Sequence, residues 1–216
     1  MSIPALIARP LGRSIITVSI GEDAEVARAA PICSGVWAAV RGGVGETYDF
    51  TRTGTAYFTD VQCCGTASQY QSITRIIMAT DLSALSGTKT GGLLRVWATG
   101  TIETLASQSV IVTSAAPAAP SLIVYGDYAN VGATAYSAAV TLAAITANAY
   151  RSFALNATAV AAINAAVGVG YVSLALCIEA DQANAEPTWG SAQKAQLTIS
   201  SHNHGTAAQR PVLLLW

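Results

Sequence analysis

From Gly35 onward, apolar and polar residues alternate in short runs separated by clusters of Gly, Ser, Thr and Pro. A period of two places successive side chains on opposite faces of a strand, so this rhythm predicts an all-β domain. The candidate strands are 36–41 (VWAAVR), 55–61 (TAYFTDV), 70–78 (YQSITRIIM), 93–98 (LLRVWA) and 109–113 (SVIVT). Further on come 121–125 (SLIVY), 140–145, 150–155, 171–179 (YVSLALCIE), 195–200 (AQLTIS) and the closing 211–216 (PVLLLW). The loops between them carry the expected breakers: RGGVG at 41–45, SGTKTGG at 86–92 and AAPAAP at 115–120. One segment breaks the strand pattern. Residues 157–166 are Ala-rich, follow Asn156 as a candidate N-cap, hold Val160 and Ile163 three apart, and precede Gly168 and Gly170. They predict one short helix.

The first 34 residues differ from the rest, so the chain divides into residues 1–34 and a sandwich domain at 35–216. Within the first part, 11–20 (LGRSIITVSI) predicts a strand, and 22–30 (EDAEVARAA) predicts a helical turn or a short polar connection. The segment is either an N-terminal arm that docks on a neighbour or the first strand of the sandwich. No internal repeat of fixed period occurs.

Composition sharpens this picture. The 216 residues are 52% hydrophobic and only 11% charged, against about 25% charged in typical soluble proteins. A surface so poor in charge favours association, and predicts a chain that works packed in an assembly, as a homo-oligomer or among other proteins. A net charge of −1 and a pI near 6.1 leave no electrostatic footprint for nucleic acid. Residues 1–10 lack a continuous apolar core followed by a cleavage site, so no signal peptide is expected. The uncharged stretch 152–178 holds one arginine only at its edge neighbour Arg151, but its Asn, Thr, Ser and Gly residues and its reliance on Ala predict no membrane span. The expected route is synthesis in a cytoplasm and exit as part of something larger.

Candidate chemistry is sparse. Cys33, Cys63, Cys64 and Cys177 match no zinc spacing and are expected as buried thiols, with a Cys33 bridge to Cys63 or Cys64 as the alternative. His202 and His204 lie two apart, and on a strand both imidazoles would face one metal, although no third ligand is recognisable. The twelve acids single out no catalytic pair, and there is no nucleophile elbow, P-loop or dinucleotide fingerprint. Neither an enzyme nor a cofactor is expected. Trp97 and Trp216 sit in apolar runs and are expected in the core or an interface. Trp189, in a loop-like stretch after Pro187, is the best candidate for an exposed aromatic, although packing against the end of the sandwich is its more natural role.

A set of short motifs adds a resemblance. Residues 70–75 (YQSITR), 81–83 (DLS) and 93–97 (LLRVW) are followed by 126–128 (GDY), 150–156 (YRSFALN), 163–164 (IN), 187–189 (PTW) and 211–216. In this order and spacing the chain resembles a DNRLRE-like, carbohydrate-binding-module-type β-sandwich, over roughly residues 35–216. The sequence departs from that pattern at Ala79 and Thr80, where an aromatic is usual, and in its Ala-rich middle. The resemblance implies a jelly-roll-like sandwich of the kind carried by phage virion proteins and by appendages of polysaccharide-active proteins. It also implies that Arg75 and Asp81 lie together near one edge of the sandwich, as an ion pair or with Arg75 capping carbonyls. Two functions follow as expectations. The first is a virion structural protein, a capsid decoration or head or tail appendage of a tailed phage that contacts major capsid or tail proteins. The second is a carbohydrate-binding module holding a particle or enzyme on surface glycan, with Trp189, Tyr128, Arg75 and Asp81 as binding residues.

Overall fold

The period-two runs fold as antiparallel strands. The computed structural model describes residues 14–29, 33, 35–43 and 55–216. In chain order these form β1 (Ile16–Ser19), β2 (Glu22–Ala29), α1 (Trp37–Gly42), β3 (Ala56–Cys63), β4 (Tyr70–Asp81), β5 (Gly92–Glu103) and β6 (Ser109–Ala115). There follow β7 (Val131–Ala135), β8 (Val140–Thr141), β9 (Ala149–Ala154), α2 (Ala157–Ala166), β10 (Tyr171–Ile178), α3 (Glu179–Gln182), β11 (Lys194–Ser200) and β12 (Val212–Leu215). The chain is an all-β sandwich trimmed by short helices.

Two long strands organise it. Residues 72–79 of β4 pair with β2 along one edge. The other edge pairs with β3 as far as Thr74 and with β10 from Ile76 onward. Arg75 stands where those two neighbours diverge. The strand β5 forks in the same way: β9 runs along one edge, while the other pairs with β12 at residues 92–95 and with β11 at 98–103. A middle layer β9-β5-β11-β3-β4-β2 therefore carries two branches, β12-β1 and β10-β6, the latter bordered by β7 and β8. Strands that belong to two layers are the usual means of turning a corner in a sandwich. All residues from 72 to 80 in β4 are buried, the apolar Ile76–Ala79 together with the polar Ser72, Thr74, Arg75 and Thr80. One contiguous core includes Val61, Ile73, Leu94, Val96, Phe153, Leu176 and Leu197.

The helix at 157–166 forms as its sequence predicts: the Asn156 carboxamide oxygen accepts from the Ala159 N–H at 3.0 Å. Its buried face is Ala159, Ile163 and Ala166, with Val160 on the flank. Gly168, at φ +73°, turns the chain out of the helix and donates to the Leu82 carbonyl at 3.0 Å.

Four local readings differ. Residues 22–29 are a strand, not a helical turn, because Ala24, Val26 and Ala27 bury against the template of β4; pairing overrides the weak helix preference of Ala and Glu. Residues 37–42 are a helix, not a strand, since Trp37 and Val40, three apart, bury on one side. Residues 121–125 turn into a 3-10 helix at 125–130. There the buried Asp127 carboxylate takes N–H groups from Ala118 at 2.8 Å and Val124 at 2.9 Å, which a strand would have spent on a ladder. Of 140–145, only Val140–Thr141 is strand.

Candidate functional site

The residues singled out in sequence are mostly structural. Arg75 is 5% exposed. It meets Asp181, on α3, through two parallel bonds of 2.7 Å from Nε and Nη2, and its Nη1 donates to the Tyr128 carbonyl at 2.6 Å. The guanidinium lies 3.9 Å from the centre of the Tyr128 ring. Arg41 on α1 donates to the Asp181 carbonyl at 2.7 Å and stands 3.3 Å from its carboxylate. The expected partner Asp81 is six residues further along the same strand, about 20 Å away at the strand rise. Asp81 is exposed and accepts the Ser83 N–H at 2.9 Å, a bond that holds its carboxyl below the usual range. Arg75 does cap a carbonyl, but its ion pair is with Asp181.

The two candidate aromatics are differently placed. Tyr128 is fully buried, its ring covered by Arg75. Trp189 is half-buried against the core, with its indole N–H on the Gln69 carbonyl at 3.1 Å. The histidines also separate. Residues 201–204 turn instead of extending, so His202 binds the buried Asp23 through both its backbone N–H and Nδ1, whereas His204 accepts from the Thr206 N–H at 3.2 Å. Among the described residues no cluster of three His, Cys, Asp or Glu side chains could hold a metal. Cys33 is bridged to Cys64, with Cα atoms 5.5 Å apart, and Cys63 and Cys177 are buried thiols. Burial pushes the Cys177 thiol up, away from reactivity.

The fork in β4 creates a site that no motif announced. Extending the β3–β4 register places Phe58 opposite Ile76, where β4 has already turned to β10. The freed Phe58 N–H takes the Glu25 carboxylate instead, at 2.9 Å, and the Thr59 hydroxyl donates to the Thr74 carbonyl at 2.7 Å. Beside this gap lies a cleft of about 150 Å³ lined by Glu25, Phe58, Asp60, Gln62, Gln71 and Lys194, among others. Lys194 Nζ is 3.2 Å from Asp60 and 5.1 Å from the Phe58 ring centre. Burial raises the Asp60 carboxyl more than Lys194 lowers it. Burial also pushes Glu25 up to about 7, with the Phe58 N–H pulling it down and the Asp60 charge adding to the rise. The cleft thus offers a carboxyl that both donates and accepts near neutrality, two amides, a cation and a ring edge. Its volume matches about five waters and falls below the usual range for small-molecule sites. Glu25 and Asp60 meet because β2 and β3 flank β4 at neighbouring positions, Ile76 and Thr74. Sequence spacing carries no sign of that.

Titration of this cleft has a definite sign. Below pH 4.5, its ordinary value, Glu25 is protonated whether the chain is folded or not. Between there and its folded value of about 7 the folded state binds the extra proton, so the stability it contributes is lost as pH rises through that value. The raised Asp23, Asp60 and His202 act in the same direction. Glu25→Gln should therefore flatten, without abolishing, the decline in stability between pH 5 and pH 8, by on the order of 1–3 kcal/mol. Urea denaturation at the two pH values checks this; an unchanged slope contradicts it.

No family model matches the sequence, and no curated protein does. Among solved structures, the chain is similar to the K1 cleaved adhesin domain of Lys-gingipain from Porphyromonas gingivalis W83, at 11% identity over 94% of this chain and 98% of that one, with a TM-score of 0.27. It is also similar to carbohydrate-binding modules of the β-sandwich superfamily, at 10% identity over 75% of this chain and 52% of that one, with a TM-score of 0.22. At such TM-scores neither likeness carries a functional argument.

Proposed function

We propose that this chain is a non-catalytic structural module that works by protein–protein contact in a larger particle. The particle is a virion, and the chain a capsid decoration or head or tail appendage of a tailed phage, the role its likeness to DNRLRE-like sandwiches implies. The observation that carries the contact role is the loop before the 3-10 turn. Leu122, Val124 and Tyr125 are each more than two-fifths exposed, yet the loop is tied down: the Leu122 N–H donates to the Ala119 carbonyl at 2.8 Å, and Asp127 accepts from the Ala118 and Val124 N–H groups and from the Asn130 amide at 2.9 Å. Apolar side chains held outward on a fixed loop suit a docking contact, because little ordering cost remains on binding. A chain with only 11% charged residues supports the same reading. The burial of Ala24, Val26 and Ala27 of β2 in the sheet favours this loop over residues 1–34 as the anchor.

The test is particle composition. Mass spectrometry of purified particles should find the chain in a fixed copy number per shell or tail. A Leu122→Ser/Tyr125→Ser variant should fold with stability within about 0.5 kcal/mol of the parent and leave the particle. Full occupancy by that variant, or absence of the parent from particles, overturns the reading.

The cleft favours a second reading, attachment to surface glycan. Adjacent donors and acceptors of both charges beside the Phe58 ring suit the hydroxyls and the apolar face of a sugar ring. Gln62→Ala and Gln71→Ala, which alter exposed amides bonded to each other at 2.8 Å, should then abolish signal on a glycan array. An array silent towards the parent retires this reading.

A further inference from the structure

The free edges of the sandwich are not alike. The strand β2 carries Glu22, Asp23, Glu25 and Arg28 along its length. The strand β9 carries Arg151, β7 has Gly132, and β8 is two residues long. Charges, glycines and brevity are the ordinary means of keeping a sheet edge from pairing with another chain. The strand β1, four residues long, carries neither charge nor glycine. It pairs with β12 on one side, and no strand pairs with its other edge among the described residues. Residues 14–20 read SIITVSI, with no charge, proline or glycine and with four β-branched or Ile residues in a row. The alternation there is regular: Ile16 and Val18 are half-buried, Thr17 and Ser19 are exposed, and Ile15 is 65% exposed.

Building on the assembly reading above, we infer that β1 pairs antiparallel with β1 of a second copy of this chain, joining the β12-β1 branches of two molecules into one sheet. A second copy fits this edge for two reasons. An antiparallel pair of identical strands has a twofold axis by construction, so the contact is self-complementary and closes at a dimer. An uncharged strand also meets its own image with no like charges facing each other, which β2 could not do. The other available occupant is this chain's own residues 1–13, and the test separates the two.

Sedimentation velocity of the full chain should show a dimer. Thr17→Lys and Thr17→Glu place like charges near the twofold axis from an exposed position, and each should raise the dimer dissociation constant at least tenfold. An equimolar mixture of the two should re-form a dimer holding one of each. Amide exchange in β1 of the parent should slow as concentration rises. If both variants associate as tightly as the parent, the β1 pairing is overturned while the assembly reading stands. A parent that stays monomeric but is found in particles overturns β1 pairing alone, as expected if residues 1–13 cover the edge. A parent that is monomeric and absent from particles overturns both.

Discussion

Replacing Asp181 by Ala should lower the stability of the domain by about 3–5 kcal/mol, the range for removing one partner of a buried ion pair. The Arg75 guanidinium is almost wholly withdrawn from water and has spent two of its donors on that carboxylate. It cannot discard its proton, since arginine stays charged in proteins. Its remaining bond, to the Tyr128 carbonyl, and the ring beneath it satisfy one donor and one face. Arg41 would lose its ion pair at the same stroke, loosening α1 from α3. A Met at position 75 supplies the control. Arg75→Met/Asp181→Ala should recover part of the loss, because an apolar side chain at position 75 removes the stranded charge. Thermal and urea denaturation of the three variants checks this; equal stability of Asp181→Ala and the parent contradicts it.

Opening the Cys33–Cys64 bridge should cost about 3.5 kcal/mol, from the loop-closure entropy of a crosslink spanning 31 residues. For a domain of this size that is a fall in Tm of about 7–14 °C. Cys33→Ser/Cys64→Ser should show this drop, and a reductant should produce it in the parent but leave the double variant unmoved. A parent indifferent to reductant contradicts the bridge. Cys63 and Cys177 have no part in the effect, as both are buried in the core as thiols.

The strands from 55 onward were largely legible because those that bury one face alternate, as Leu94, Val96 and Ala98 do in β5, whereas β4, buried throughout from 72 to 80, does not. Asn156 and Gly168 marked the ends of α2 through backbone chemistry that needs no knowledge of the rest of the fold. The failures have a common cause, which is dependence on partners distant in sequence. Residues 22–29 become a strand only because β4 is there to pair with, and 121–125 fail to become one because Asp127 captures the Val124 N–H and the Ala119 carbonyl that of Leu122. At the site the same limit applies more strongly. Arg75 was recognised as a structural arginine, but its partner lies 106 positions away. Tyr128 is expected as a binding residue, and its burial under an arginine reaching it across the core has no local signature. The Glu25–Asp60 cleft arises from the divergence of β3 and β10, a property of topology with no local signature.

That divergence has a mechanical consequence. In a sandwich whose layers meet only through side chains, a lateral pull can slide one layer over the other. Here β4 and β5 run unbroken from one layer into the next, so the load passes along covalent backbone, and prying the layers apart requires tearing hydrogen-bonded ladders within each of them.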